Sequence, residues 1–432
     1  MAVRSIDRNY LGIFAETTPC VPPASWQNDG TWIEHLKSDT NSIKQILLTD
    51  PTLEGRIMSV GKRKKIKGLR NCEFSTEIKM HGTGVVTADG VQVANTYLST
   101  ILKHCMGGIV RGYATTLTGG STTVPEVDDA TGIVPGMLLY FQDTTTPSQE
   151  NTGKLHQRRV LSVDTLEVTL SEALPFTPAN GDIVAGTITA HPDEEYLEDA
   201  VAAGGTFAWF VQKTKAGSGG TDLLWVIEGS VASFQLQNLS RGQLPSLALN
   251  VMGANFRHGG VDGLANVTPP AIVGQAQLSM GIDVQCSIQN YGTTTINEVD
   301  VNQCSFDVGF TRERVETTTE NIDRFEGTAT YTIKPGSTKF TCTLVNYDDA
   351  WYQKLEQGQE FRINFYQPGP GKGAGYAWGL HVPRAQLMST PGRADVNEVH
   401  GVTLEFEAME PDDTTGGSNV ELEKAVFLFG MA

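Results

Sequence analysis

A near-repeat constrains this chain more than any other feature of its sequence: one order of apolar landmarks occurs twice. Phe207 and Phe361 are 154 residues apart, while Trp225 and Trp378, Ala232 and Ala385, and Phe234 and Leu387 are each 153 apart. Each copy closes on an alternating strand, Leu247, Leu249 and Val251 in the first and Val402, Leu404 and Phe406 in the second. A repeated pattern implies a repeated unit, because each copy has the same apolar face to bury.

Local periodicity supplies the parts of that unit. In "CEFSTEIKM" (72–80), Cys72, Phe74, Thr76, Ile78 and Met80 alternate with Glu73, Ser75, Glu77 and Lys79, the period of a half-buried strand. "CSFDVGF" (304–310) is its expected counterpart. A helix follows each. The first is capped by Asn95, places Ala94, Tyr97, Leu98, Ile101, Leu102 and Cys105 on one face, and stops at Gly107 and Gly108. The second lies in "DDAWYQKLEQG" (348–358), with Asp348 as cap, Trp351 and Leu355 on one face and Gly358 as stop. A strand pair comes next, "TFAWFVQ" with "LLWVIEG" and then "FRINFYQ" with "YAWGLHV".

Between the first helix and the first pair the texture changes. "TTVPEV", "GMLLYF", "RRVLSV", "TLEVTL" and "GDIVAGT" are short strands cut by turn residues, the pattern of a small β-barrel inserted over 115–190. The expected organisation is mainly β. Residues 1–114 and 191–256 form the first repeat, 115–190 the insert and 257–432 the second repeat. The opening segment to about residue 68 has little periodicity, contains "TTPCVPPASW", and reads as an extended arm.

The stretch most suggestive of chemistry is "QPGPGKGAGYAW" (367–378), where Gly369, Gly371 and Ala374 spell G-x-G-x-x-A. A phosphate loop needs a helix after it, because the helix N-terminus supplies the free N–H groups. Here Tyr376, Ala377, Trp378 and Leu380 continue as a strand, and the first repeat has "AGSGGTD" at the matching place. It reads as a hairpin turn. His104–Cys105 is the one adjacent pair of metal-ligand types, with no third ligand nearby, and reads as structural. "HPDEEYLEDA" (191–200) lacks the alternating ligands and turn glycine of a calcium loop, and reads as a solvated or lumen-facing acidic stretch. G-x-S-x-G and H-E-x-x-H are absent, so no catalytic, cofactor-binding or metal-ligating residue is assigned.

Charge narrows the partners. With 49 acidic and 32 basic residues the net charge is −17, which repels nucleic acid. Against that background Lys62, Arg63, Lys64, Lys65 and Lys67 form a concentrated basic patch in a Gly-flanked loop. No aromatic residues interleave with it as a stacking platform requires. Docking onto an acidic surface of another copy of this chain is the favoured role, with nucleic-acid contact and plain solvation as the alternatives. The six cysteines are scattered without a C-x-x-C pair and read as reduced core residues. No signal-peptide pattern and no 18-residue apolar run occur, so synthesis in a cytoplasm without membrane insertion is the expectation.

Several stretches resemble the tail tube (major tail) proteins of long-tailed bacteriophages. They are "GIFAETTPCVPPASW", "GLRNCEFSTEIKMHG" leading into "YLSTILKHCMGG", "EGSVASFQLQNLSRGQLPSLALNVMGA" and "PRAQLMSTPGRADVNEVHGVTLEFEAMEP". The resemblance is at the level of pattern and covers most of the chain outside 115–190. It implies β-sandwich domains, each with one flanking helix, whose inner sheets join around a ring. Rings would stack into the conduit for genome ejection in the virion tail. Two tandem domains resemble the larger members of the family, implying homotrimeric rings with pseudo-sixfold symmetry. The implied partners are further copies of the chain, the tape measure, terminator and tail-tip proteins, and double-stranded DNA passing without specific binding. The competing readings are a sheath, baseplate or terminator subunit, or a tail-associated carbohydrate-binding or hydrolytic β-protein.

Overall fold

The computed structural model describes residues 9–16, 31–33, 35–49, 65–80, 97–110, 114–131, 133, 138–145, 156–186, 188–192, 206–213, 223–240, 243, 245–258, 285–291, 299–309, 311–314, 331–334, 336–345, 350–367, 378–396, 399–409 and 426–429. Its first part contains β1 (Asn9–Ala15), β2 (Thr31–Ile33), β3 (His35–Thr49), β4 (Lys65–Lys79), α1 (Tyr97–Met106) and β5 (Gly107–Val110). Six strands of the insert follow: β6 (Ala114–Gly120), β7 (Pro125–Val127), β8 (Leu138–Gln142), β9 (His156–Asp164), β10 (Glu167–Leu170) and β11 (Ile183–Gly186). The chain then forms β12 (Ile188–Pro192), β13 (Phe207–Lys213), β14 (Leu223–Ser240), β15 (Ser246–Gly253) and β16 (Asn255–His258). The last part holds β17 (Gln285–Asn290), β18 (Val301–Asp307), β19 (Thr311–Arg314), β20 (Tyr331–Lys334), β21 (Lys339–Leu344) and α2 (Ala350–Glu356). It ends with β22 (Glu360–Gln367), β23 (Trp378–Leu387), β24 (Gly392–Val396), β25 (Val399–Ala408) and β26 (Val426–Phe429). The fold is mainly β.

Strand register gives the repeat a physical definition. In the first unit β4 pairs with β15 so that Phe74, Thr76 and Ile78 face Val251, Leu249 and Leu247. In the second, β21 pairs with β25 so that Phe340, Cys342 and Leu344 face Phe406, Leu404 and Val402. The outer neighbours match as well. β3 slips register on β4 between His35 and Lys37, and β18 slips on β21 between Val301 and Gln303. A bulge interrupts β13–β14 between Phe207 and Trp209, and the same bulge interrupts β22–β23 between Phe361 and Ile363. β1 lies on β13 as β17 lies on β22. β16 lies on the first half of β14 as β26 lies on β23.

This register corrects four expected correspondences. "CSFDVGF" forms β18, the counterpart of β3, whereas the counterpart of "CEFSTEI" is β21. Trp225 faces Val211 while Trp378 faces Gln367, so the residue matching Trp225 is Leu380, two positions further on. By the same slip Ala385 matches Ser230 and Leu387 matches Ala232, so Ala232–Ala385 and Phe234–Leu387 are not counterparts. The cause is the period of a strand. A shift of two residues restores every side chain to the same face, so apolar spacing cannot distinguish the two alignments.

The opening segment also departs from expectation: much of it is sheet. β1 inserts beside β13 with Leu11, Ile13 and Phe14 buried, and Gly12 lets the Phe210 ring lie against the backbone. A Cβ at Gly12 would stand 1.8 Å from that ring. A strand of seven residues split by a glycine is too short to announce itself by period.

Both helices follow their strands as expected, and Asn95 and Asp348, the expected caps, lie outside the described residues. α1 buries Ile101, Leu102, His104, Cys105 and Met106 against the sheets, with the His104 ring 4.0 Å from that of Phe207. It ends at Gly107, whose φ of 96° is the left-handed geometry of a helix stop. α2 seats Trp351 against Phe361 and Phe406, and Gly358 follows with φ 61°. Strands β6–β11 close into a barrel with its own core, including Leu117, Leu139, Phe141, Val160, Val168 and Val184. Cys105, Cys286, Cys304 and Cys342 are buried thiols outside any disulfide. Burial pushes the Cys304 and Cys342 thiols well up. No described helix is long and apolar enough to cross a membrane.

Candidate functional site

The two repeats share one sheet. Its strands run β3, β4, β15, β14, β18, β21, β25, β24, with the join between repeats at β14–β18. At that join Leu236 faces Phe306 and Leu239 faces Cys304, and all four side chains are buried. One face of the sheet is the core. The other carries Glu73, Ser75, Glu77, Gln235, Gln237, Asn250, Ser305, Asp307, Thr341, Thr343, Thr403, Glu405 and Glu407, none of them buried.

That second face is held together sideways. Ser75 Oγ donates to Asn250 Oδ1 at 2.8 Å, and Thr343 and Thr403 share a hydrogen bond of 3.1 Å. Glu77 Oε1 accepts from Ser246 Oγ at 2.6 Å and from Asn238 Nδ2 at 2.9 Å. Lys339, a base on this face, lies 2.9 Å from Glu405 Oε1, and that hydrogen bond and charge push its ammonium group up. Carboxylates therefore set the sign of the surface. The alternation in sequence marked each of these residues as pointing away from a core. Their convergence was hidden, because it depends on which strands are neighbours.

The sheet is bounded by two open edges. Among the described residues β3 pairs with β4 alone and β24 with β25 alone. β3 is the counterpart of β18, and β24 continues the second repeat where the far half of β14 continues the first. Gly392 faces Thr403 as Gln235 faces Ala248. The open edges are thus the same two surfaces that already join at β14–β18. Met388 (49% exposed) and Val399 (50%) stand beside the β24 edge and are two of three large apolar side chains exposed among the described residues. Unpaired, flat edges of this kind invite another strand.

Two residues of the basic patch, Lys65 and Lys67, lie on a strand of a two-stranded arm instead of in a loop. β4 pairs with β15 only from Cys72 onward, so Lys65–Asn71 and the facing part of β3 extend beyond it as a two-stranded arm. Lys65 faces Thr49 and Lys67 faces Leu47, while Lys62, Arg63 and Lys64 lie outside the described residues. The second repeat has a matching arm, β19–β20, which carries Arg312, Arg314 and Lys334. It is offset from β18 and β21 at Gly309 and Gly336, which pass so closely that a Cβ on Gly336 would meet Gly309 O at 1.8 Å. The glycine-rich loop 368–377 lies outside the described residues, but the strands flanking it, β22 and β23, are an antiparallel pair. Of "HPDEEYLEDA", only His191 and Pro192 are described, in β12.

A buried charged cluster sits at the bulge of the first repeat, and the sequence reading missed it. Glu16 accepts from Gly229 N at 3.0 and 3.1 Å. Glu228, fully buried, accepts from Asn255 Nδ2 and Arg257 Nε at 2.9 Å each. Burial raises the Glu228 carboxyl from 4.5 to about 7, opposed by Arg257 and Asn255 and reinforced by Glu16. The folded state binds this proton more tightly than the unfolded chain. The contribution to stability is therefore full below about 4.5 and is lost as pH rises through about 7. Glu228→Gln is expected to melt with wild type at pH 4.5 and a few degrees above it at pH 8, a difference on the order of 3 kcal/mol. Thermal melts of both proteins across that range check it; parallel curves would refute it.

Neither a protein-family model nor a curated protein matches this chain.

Proposed function

We propose that this chain is the structural subunit of a bacteriophage tail tube, closing into rings of three chains and six repeats that stack into a conduit for DNA. The observation that carries the reading is the join at β14–β18. It is a heterologous contact, one edge type against another, and the same two edge types remain open at β24 and β3. A heterologous contact closes a ring when its rotation divides the full circle without a rise. Closure would hide both edges and make the wall a continuous barrel.

The chemistry of the second face suits the lining of such a conduit. A surface rich in Ser, Thr, Asn, Gln and carboxylates, with Lys339 paired to Glu405, offers phosphates little attraction. Unpaired bases repeated over many rings would hold DNA by counterion release. The tape measure, terminator and tail-tip proteins are the further partners that this reading entails, and the virion tail is the location. Native mass spectrometry with negative-stain microscopy tests it. The expected species is a three-chain ring with a central hole, stacking into tubes. A monomer at every concentration, or a ring of six whole chains, would sink the proposal.

A further inference from the structure

The insert interrupts the first repeat, yet its contacts lead to the second. Its stem is the pair β5 and β12, joined from His191–Gly108 to Thr189–Val110. β12 packs on α1 of the first repeat. Its other edge pairs with β26, where Ile188, Thr189 and Ala190 face Phe429, Leu428 and Phe427. β26 in turn lies on β23, the central long strand of the second repeat. One strand of five residues therefore binds a helix of one repeat and a sheet of the other.

A second contact lies beyond the stem. Glu172, just past β10 of the barrel, forms an ion pair with Arg362 of β22, and their side chains are only 9% and 11% exposed. Arg362 also lies over the Tyr291 ring at 5.7 Å, and Arg384 lies over the same ring at 5.3 Å. Arg384 is fixed by Glu360 through Nε–Oε2 at 2.9 Å and Nη2–Oε1 at 2.6 Å. The counterparts of Arg362, Arg384 and Tyr291 in the first repeat are Ala208, Gly229 and Glu16, as the shared register requires. The charged platform thus lies in the repeat that Glu172 meets and has no counterpart at the matching positions of the other.

We propose that the barrel and its stem act as a clasp that locks the two repeats of one chain at a set angle. Two attachment points, one a strand pairing and one a desolvated ion pair, resist both hinging and twisting about the β14–β18 join. A subunit so locked presents its open edges already at the angle that closure needs. The clasp is a property of the single chain, so it stands or falls independently of ring formation.

Hydrogen exchange on the unassembled full-length subunit tests the proposal. Glu172→Arg leaves Arg362 facing a like charge in a desolvated site. It is expected to speed exchange in Val426–Phe429 and Gln285–Asn290 at least tenfold, while β8 and β11 of the barrel stay protected. Arg362→Glu should do the same, and the double exchange Glu172→Arg with Arg362→Glu should bring rates back to within about threefold of wild type. Because either single change could simply disturb its own neighbourhood, proline in β12 is the second probe. Neighbouring residues of a strand donate to opposite edges, so one of Thr189→Pro and Ala190→Pro must break the β12–β26 ladder. That variant should also free Val426–Phe429. Unchanged exchange in β26 for Glu172→Arg and for both proline variants, or no recovery in the double exchange, overturns the clasp.

Discussion

A subunit carrying Arg393→Pro and Asp395→Pro is expected to fold, to remain a monomer, and to form neither rings nor tubes. Strands β24 and β25 are joined by the two residues 397 and 398, and Val396 faces Val399 across that turn. In a two-residue hairpin the closing pair exchanges both backbone hydrogen bonds. Val396, Ala394 and Gly392 therefore bond inward to β25, and the N–H groups of Arg393 and Asp395 point to the open edge. Proline at those two positions spares the hairpin and removes the donors that another strand would need. Two acceptors left unsatisfied on the incoming strand cost roughly 2–6 kcal/mol per junction, about thirtyfold or more in affinity. Ala394→Pro is the contrast, since it breaks the inward ladder and should destabilise the hairpin itself. Sedimentation velocity and circular dichroism separate the outcomes. Normal rings from the double variant would show that the β24 edge plays no part in closure.

The sequence revealed the repeat but misplaced its register, and both facts have one physical origin. Alternation tells which residues point inward, so Phe74, Ile78, Leu249 and Phe406 were legible as core, and they are. It says nothing about which strand lies beside which. Leu380 and Trp378 were interchangeable on paper because both belong to the buried set of one strand. β1 escaped notice because Gly12 interrupts a short pattern whose meaning comes from Phe210, far away in the chain. The buried Glu16 and Glu228 look like any other of the chain's acids until the bulge at residues 228 and 229 turns them inward. The insert was plain from its turn residues. Its reach to β26 was not, since no local rule links residue 189 to residue 428.

Reversing the charge of the first arm, with Lys62, Arg63, Lys64 and Lys65 all changed to Glu, is expected to leave rings intact and abolish their stacking. The arm extends beyond the β4–β15 ladder. Seven residues of β4, Lys65–Asn71, run past β15, and at about 3.3 Å per residue they reach roughly 23 Å. Its basic end is then offered to whatever lies along the tube axis, which in a stack of identical rings is the acidic body of the next subunit. Opposite charges steer such docking and fix its orientation. Each exposed pair is worth only roughly 0–1 kcal/mol, but three arms act together in a ring, and reversal replaces attraction by repulsion. The second arm keeps Arg312, Arg314 and Lys334, yet it cannot offset four new carboxylates beside an acidic partner. The same logic predicts that wild-type tubes shorten in high salt, where screening falls to about 3 Å near 1 M. Electron microscopy of variant and wild type across a salt series measures both effects. Tubes of normal length from the variant at low salt would mean that the arm is merely solvated, and that stacking rests on backbone and apolar contacts elsewhere on the ring.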